Sequence, residues 1–399
     1  MSSQSLTVGI PREIKPGEKR VGLTPPGAVR LKESGIRVLI EKGAGTGSGY
    51  ADIDYEKAGA EIAEGTAGLY EKSGLIKKVK EPVSAEWPFL RSNQVLFSYL
   101  HLASPENCRL VQVLLRQKVT AIGLETVEKD GRTIFLEPMS EIAGALAAYD
   151  AGWFKKFVRV EQGKIIYPPQ FQQKLAELAN GFPGVPQDLP AGKAVIFGGG
   201  AVGSKAAEIF LKMGGEVVLI EKREDRHSSL RQKFTGFGAR FRIQGLRDDF
   251  SEALEDADVW MGCVHVVGER APLVLSPADL EKFSRPKPKL ILDVAVDQGG
   301  NFPGTHSTTY ADPLFLDSSG NLRFGVTNMP SFCGRGASEA IEQATLPYAI
   351  RLAQDWRKTL RELRELQTGL QTFDGILVNE AVGKAHQLPW KSFDASKLG

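Results

Sequence analysis

The stretch Lys193-Ala-Val-Ile-Phe-Gly-Gly-Gly-Ala-Val-Gly203, with the residues that follow it to Glu221, constrains the fold more than any other part of this chain. Residues 195–197 form a short apolar run that reads as a buried parallel strand. Gly198, Gly200 and Gly203 fall at the G-x-G-x-x-G positions, residues 201–213 have helical periodicity, and Glu216-Val-Val-Leu-Ile-Glu221 reads as a second strand ending in an acid. Each piece has a role if the ligand is a dinucleotide. The first glycine makes the tight turn, the second lets the main chain approach the pyrophosphate, and the third lets helix and strand pack closely. The helix start at Ala201 and Val202 offers unpaired N–H groups and the positive end of a dipole to the phosphates. Glu221 follows Gly203 at close to the roughly 20-residue spacing of an acid that binds ribose hydroxyls. A glycine triad alone also occurs in βα turns that bind nothing, so the whole order of strand, helix, strand and acid carries the expectation.

A chain of 399 residues has room for two or three domains. Its 50 basic and 48 acidic residues nearly cancel, which gives no reason to expect nucleic acid or an anionic membrane surface as a partner. No apolar run approaches the ~18 residues of a membrane span. The N-terminus lacks the basic start and apolar core of a signal peptide, and Cys108, Cys263 and Cys333 are too scattered for a disulfide framework or a zinc site. The expectation is a cytoplasmic protein in a reducing compartment, with no metal.

Strand and helix signals alternate from the start. Strands are expected at residues 6–10, 37–41, 75–80, 95–101 and 119–124, with helices at 25–34, 55–60 and 105–117 between them. A glycine-rich loop, Gly43-Ala-Gly-Thr-Gly-Ser-Gly49, lies in this part. Such alternation means a parallel sheet in an α/β domain, with ligands at the C-terminal strand ends, where Lys80 and His101 fall. An alanine-rich helix at 141–151 reads as a bridge between domains. An aromatic and basic segment at 152–169, a helix at 170–180 and a proline-rich approach at 182–192 follow. Strands at 240–243, 258–263 and 289–296 complete a doubly wound domain. A long helical pattern from 334 to 366, broken near Pro347, runs back toward the first domain, as suits a two-domain dehydrogenase with a cleft. The fold class is therefore α/β, with two domains that are each a parallel sheet flanked by helices. A Rossmann dinucleotide-binding domain (residues 135–332) is inserted into a discontinuous substrate domain (residues 1–134 and 333–399).

Several motifs in order resemble the alanine dehydrogenase family, which is related to the NAD(H)-binding domain of nicotinamide nucleotide transhydrogenase. They include Gly9-Ile-Pro-Arg-Glu-Ile-Lys15, Glu18-Lys-Arg-Val-Gly-Leu-Thr-Pro25, the Gly43–Gly49 loop, Lys78-Val-Lys-Glu-Pro82 and Leu100-His-Leu-Ala103. Pro138-Met-Ser-Glu-Ile-Ala-Gly144, Asp293-Val-Ala-Val-Asp-Gln-Gly-Gly300 and Thr327-Asn-Met-Pro330 continue the series. The resemblance implies that Arg20 and Lys80 bind the substrate carboxylate and carbonyl, that His101 is a catalytic acid/base, and that Asp297 is a second one beside the nicotinamide. It further implies that Met139 and Ser140 line the nicotinamide pocket and that Asn328 approaches the cofactor. Glu221 would hold the adenosine ribose where the family usually has an aspartate. A homo-oligomer, hexameric or smaller, is implied as well.

The chemistry agrees with those residue types. Removing hydride from Cα of an amino acid leaves an imine whose carboxylate needs a cation, and hydrolysis of the imine needs a group that titrates near neutral pH. By residue type alone, Arg20 reads equally as a surface charge and Asp297 equally as a turn residue, while Lys80 reads first as a polar strand edge and His101 first as a core histidine. Asp293 is a competing acid, and Met139 with Ser140 reads as an ordinary helix start. Two features depart from the family. The segment from Trp153 to Asn180 is longer than the usual link and reads as a surface elaboration, a subunit contact or a lid over the substrate. Lys222 and Arg223 follow the ribose acid, and an arginine there can accept the 2′-phosphate of NADP; Glu221 repels it, so NAD is favoured. The leading expectation is an NAD-dependent dehydrogenase of a small amino acid, L-alanine first. The alternatives are an imine or opine-type reductase like the saccharopine dehydrogenases, a transhydrogenase NAD(H)-binding subunit, and a non-enzymatic NAD sensor.

Overall fold

The computed structural model describes residues 5–179, 184–185, 188–189, 192–266 and 270–398. The chain divides into two compact units, Met1–Met139 with Ser331–Gly399, and Ser140–Pro330. The breaks expected at 134/135 and 332/333 stand a few residues from these.

The first unit is built on an eight-stranded sheet in the order Ile376–Leu377, Leu370–Phe373, Thr120–Gly123, Val95–Ser98, Leu75–Lys77, Val8–Ile10, Val38–Glu41, Glu61–Ala63. The strands from Val8–Ile10 to Thr120–Gly123 pair in parallel. Their central residues (Val8, Ile10, Leu75, Ile76, Leu96, Phe97) are buried on both faces, as a helix-covered parallel sheet requires. The expected strands are present but shorter. Glu61–Ala63 and the antiparallel edge Leu370–Phe373 with Ile376–Leu377 are additions to the expected set. The helix Pro25–Glu33 begins as its sequence suggests, with proline in the first turn and Thr24 as N-cap. The long helix Gly334–Glu362 corrects one expectation: it runs through Pro347 and leaves helical geometry at Asp355 instead (φ −161°, ψ 93°). Buried Leu346, Ala349 and Leu352 around the proline hold the helix on the core and outweigh the hydrogen bond lost there.

The second unit has a seven-stranded sheet, Phe241–Gln244, Glu216–Ile220, Lys193–Phe197, Val259–Gly262, Leu290–Asp293, Leu322–Phe324, Leu314–Leu316. All pair in parallel except the last, antiparallel pair. The strand order reverses between Lys193–Phe197 and Val259–Gly262, the switch point at which doubly wound sheets bind nucleotides.

The expected bridge helix at 141–151 is longer, Glu137–Phe157. Trp153 and Phe154, assigned above to a separate segment, are buried residues of its last turns. A hairpin follows, Arg159–Glu161 with Lys164–Ile166. It turns at Gln162 and Gly163, both at positive φ as a tight two-residue hairpin requires. The helix Phe171–Ala179 then packs back. Its Lys174 ammonium pairs with buried Asp150 and lies 5.0–5.3 Å from the ring centres of Tyr149, Trp153 and Phe154. Tyr310 donates to the same aspartate at 3.0 Å, and Tyr167 stacks on Phe171 and accepts the Leu314 N–H at 3.2 Å. Asn180 and most of the proline-rich approach (181–183, 186–187 and 190–191) lie outside the described residues. Among the described residues no helix is long and apolar enough to cross a membrane.

Candidate active site

In the first unit the strands Leu75–Lys77 and Val95–Ser98 end side by side, and their pairing continues beyond both ends. Val79 O accepts the Tyr99 N–H at 3.0 Å, and Lys80 O accepts the Ser98 hydroxyl at 2.8 Å. Lys80 and His101 therefore stand just past neighbouring C-terminal strand ends, where an α/β sheet presents its ligand-binding loops. The run of lysines is sorted by burial. Lys77 is buried against Gly22 O, and Lys78 is buried between Glu86 at 2.9 Å and Glu13 at 3.4 Å. Burial pushes the Lys77 ammonium down to about 8. Lys80 is half-buried. Its ammonium is also held below the ordinary lysine value, first by burial and then by the neighbouring Arg20 cation.

Arg20 is not a surface charge: it is 4% exposed. Its guanidinium takes both oxygens of Glu18 in a fork, Nε to Oε1 at 2.7 Å and Nη2 to Oε2 at 2.6 Å, while Nη1 donates to Met139 Sδ at 3.3 Å. Burial alone would raise the Glu18 carboxyl, but the Arg20 charge and hydrogen bonds outweigh it and hold the group at about 2. Tyr99 is close enough to Arg20 for the two to act on each other electrostatically, and its ring stacks parallel to that of His101, 11° from coplanar with centres 6.3 Å apart. Lys80, Arg20, Tyr99 and His101 thus make one chain of neighbours.

His101 is half-buried, and its backbone is left-handed (φ +44°). Both oxygens of Glu125 accept main-chain N–H groups there, and the Asn107 amide donates to Leu100 O and His101 O. Glu13 similarly accepts the N–H groups of Val79 and Lys80 at 2.6 and 3.3 Å. Glu13, Glu18, Tyr99 and Glu125 were not singled out from the sequence. Glu13 and Glu18 lie within quoted motifs, and Glu18 stands two residues before Arg20; nothing local marks Glu125.

In the second unit the three glycines of the turn differ in what surrounds them. Gly198 sits at φ +95°, open to glycine but strained for other residues, and a Cβ there would be 2.9 Å from Cys263 O on the far side of the switch point. A Cβ on Gly203 would collide with Gly198 O. A Cβ on Gly200 would meet no atom within 4 Å. Gly200 also precedes the helix Ala201–Lys212, whose first N–H groups have no side-chain cap. Open space at the middle glycine above uncapped N–H groups fits the pyrophosphate of a dinucleotide. Gly200, Ala201, Val202 and Gly203 would hold it there.

Glu221 is buried, with Oε2 accepting the Gly199 N–H and Oε1 the Arg223 N–H, both at 2.8 Å, so its carboxylate is fixed beside the turn. Arg223, the residue able to receive a 2′-phosphate, points its guanidinium to Asp225 at 2.9 Å instead. Asp293 is occupied as well: its carboxylate accepts the N–H groups of Ala295, Asn301 and Phe302 and the hydroxyl of Thr305. Asp297 is exposed in the short turn Val296–Gln298 and accepts the N–H of Asn328, itself at φ +51°. Ser140 lies within the first turns of the helix Glu137–Phe157.

One unit is doubly wound with a glycine turn and a terminal acid, and the other is an α/β unit carrying a buried arginine, a lysine and a histidine; a chain that holds both has the parts of a nucleotide-dependent oxidoreductase. Comparison with known proteins narrows the class. Residues 9–143 match the N-terminal domain of the alanine dehydrogenase/PNT family, and residues 166–380 match its C-terminal domain. The chain is 36% identical to alanine dehydrogenase 2 of Staphylococcus aureus (strain USA300), over 98% of this chain and 99% of that protein. A solved L-alanine dehydrogenase superposes with a TM-score of 0.79 at 34% identity, covering 96% of this chain and 99% of that one. A transhydrogenase from Sinorhizobium meliloti superposes with a TM-score of 0.73 at 21% identity, covering 94% and 99%, a likeness of fold. The chain belongs to the alanine dehydrogenase/PNT family. It is an oxidoreductase of the amino-acid dehydrogenase type and works with a nicotinamide nucleotide.

Proposed function

We propose that this chain is an NAD-dependent dehydrogenase that reversibly deaminates L-alanine to pyruvate and ammonia. The observation that carries this reading is the row Lys80–Arg20–Tyr99–His101 at neighbouring strand ends, in a chain 36% identical to an alanine dehydrogenase. Arg20 and Lys80 hold the substrate carboxylate and carbonyl, and the fixed Glu18 fork keeps the guanidinium plane from turning. The bound dinucleotide supplies the hydride acceptor. Loss of hydride from Cα leaves an imine. His101 takes a proton from the water that adds to the imine carbon and returns it to nitrogen as ammonia leaves. Asp297 offers a carboxylate for the cationic imine and a second proton path. Met139, Ser140 and Asn328 contact the nicotinamide portion. NAD is preferred over NADP because a 2′-phosphate would meet the fixed Glu221 carboxylate while Arg223 is engaged by Asp225. The enzyme acts in the cytoplasm as a homo-oligomer, a hexamer or smaller, with no nucleic-acid or membrane partner.

An imine or opine-type reductase drew its support from the segment 153–180 as a remodeller of the substrate pocket. The contacts described for that segment include Asp150, Asp188, Asp258, Asp312, Leu314 and Phe324, all within the nucleotide-binding unit. The test is NADH oxidation by the purified protein with pyruvate and ammonia, beside other keto acids and larger amines. Turnover with pyruvate and ammonia, lost in His101→Ala while NADH affinity persists, is the expected result. Turnover only with a larger amine overturns the substrate, no turnover without a membrane partner favours the transhydrogenase reading, and an unaffected His101→Ala rate removes that residue from catalysis.

A further inference from the structure

The glycine-rich loop Gly43–Gly49 takes no part in the chemistry above, yet the structure gives it a close neighbour. A Cβ on Gly47 would lie 2.7 Å from Lys19 O and 2.9 Å from Lys19 Cα. One on Gly334, far along the chain, would lie 3.0 Å from the same Lys19 O and 2.8 Å from Gly47 O. Neither glycine has a positive φ. Both positions therefore exclude side chains because main chains meet there, with Lys19 between them. Three buried serines complete the contact. Ser331 Oγ accepts the Lys19 N–H at 3.0 Å and donates to Gly17 O at 2.7 Å. Ser48 Oγ donates to Lys19 O at 2.8 Å. Ser338 Oγ accepts the Val21 N–H at 2.9 Å and lies 2.9 Å from Ser48 Oγ. The peptides on both sides of Arg20 are thus gripped by groups from residues 47–48 and 331–338, all within one unit.

We propose that Gly47, Gly334, Ser48, Ser331 and Ser338 form a positioning frame for Arg20, setting the height and angle at which its guanidinium meets the substrate carboxylate. The inference rests on Arg20 being the carboxylate-binding residue. A fork binds a carboxylate well only over a narrow range of positions, and a displacement of about 1 Å costs up to ~100-fold in a well-placed active-site group. The frame acts on the N–H and C=O of Lys19 and the N–H of Val21, whereas Glu18 takes the guanidinium and the N–H of Arg20 itself (3.0 Å), so the two constraints hold different groups. A methyl group at Gly47 or Gly334 has to displace Lys19, and Arg20 moves with it.

The test is steady-state kinetics on Gly47→Ala, Ser331→Ala and Arg20→Lys, with NADH binding and melting temperature measured on each. Ser331→Ala is the mild variant, included because Gly47→Ala is able to disturb folding. The expected result is a rise in KM for pyruvate of roughly tenfold or more in both frame variants. KM for ammonia and the dissociation constant for NADH stay close to those of the parent. Competitive inhibition by propionate, which shares only the carboxylate, weakens in parallel. If Arg20→Lys raises KM for pyruvate but Ser331→Ala, folded and binding NADH, leaves it unchanged, the frame is refuted while the role of Arg20 stands. If Arg20→Lys itself leaves KM for pyruvate and propionate inhibition unchanged, the underlying reading of Arg20 is refuted. Equal losses against pyruvate, ammonia and NADH in the frame variants make the glycines and serines merely structural and also overturn the proposal.

Discussion

Glu125 holds His101 by its backbone: Oε1 accepts the His101 N–H at 2.7 Å, and Oε2 accepts that of Leu100 at 3.0 Å. The left-handed conformation at His101 costs a residue with a Cβ about 1–2 kcal/mol, so it persists only where neighbours enforce it. Glu125→Ala is expected to free this peptide and let the imidazole leave its place against Tyr99. kcat falls by tenfold or more, while the dissociation constant for NADH, set in the other unit, changes little. Glu125→Gln keeps one acceptor but turns an NH2 toward the second N–H, an unsatisfied contact worth about 1–3 kcal/mol, and is intermediate. Unchanged kcat in the folded alanine variant would refute the role.

The Glu18–Arg20 pair makes stability depend on acid. Glu18 sits at about 2 in the folded chain against an ordinary 4.5, so the unfolded chain binds the proton more readily. Its contribution is therefore complete above pH 4.5 and lost as pH falls toward 2, with a size on the order of 3 kcal/mol. Glu18→Gln is expected to be less stable near neutral pH, because it leaves Arg20 buried without its anion, and to show a flatter decline between pH 4.5 and the lowest pH that can be measured. Urea melts at a series of pH values read both quantities. Parallel profiles for parent and variant would contradict the assignment.

Lys80 makes a prediction on the alkaline side. Burial and the Arg20 cation lower its pKa, so its charge is lost at a pH below that of a free lysine. If that charge helps hold the substrate, KM for pyruvate rises with pH before the ordinary lysine range is reached. Lys80→Arg, which keeps its proton throughout, moves that rise upward or removes it at some cost in fit. An identical pH profile in the arginine variant would argue that another group titrates.

The glycine turn and the alternating strands were legible because they are local: periodicity, a turn and a terminal acid sit within one βαβ stretch. Arg20, Lys80 and His101 came from motifs, and their residue types alone left each open to an ordinary structural reading. What decides their surroundings is contact between residues far apart in sequence. Glu125 reaches His101, Ser331 and Gly334 reach Lys19, and Leu370–Phe373 pairs beside Thr120–Gly123, none of which a local pattern can announce. The short strands Glu61–Ala63 and Leu314–Leu316 escaped for a related reason: each is too brief to carry a period, and pairing alone makes it a strand. Composition places Trp153 and Phe154 in a separate aromatic and basic segment, whereas they are buried in the last turns of the helix Glu137–Phe157 with the Lys174 ammonium over their rings, a contact that local composition does not show.

Gly200 and Gly203 differ in what a methyl group would meet, and this separates binding from folding. At Gly203 it collides with Gly198 O, so Gly203→Ala is expected to strain the turn by about 1–3 kcal/mol and lower the melting temperature without any ligand. At Gly200 there is room, so Gly200→Ala melts like the parent alone but gains less from added NADH, because the methyl stands where the pyrophosphate comes closest. Thermal melts with and without NADH distinguish the two. A Gly200→Ala protein stabilised by NADH as much as the parent would place the phosphates elsewhere.

Asp150 and Lys174 anchor the helix Phe171–Ala179 to the helix Glu137–Phe157, and both side chains are buried. A buried pair of this kind is worth little relative to apolar residues of similar size, but losing one partner strands the other charge at a cost of about 3–5 kcal/mol. Lys174→Met is therefore expected to destabilise the chain strongly, because Tyr310 alone is left to satisfy the Asp150 carboxylate. The double variant Asp150→Leu with Lys174→Met recovers most of that loss, since no charge remains inside. Turnover per folded molecule stays near that of the parent in the double variant if the segment is a buttress of the nucleotide-binding unit. A large drop in kcat or a changed keto-acid preference in that stable double variant would instead show that the segment shapes the substrate site.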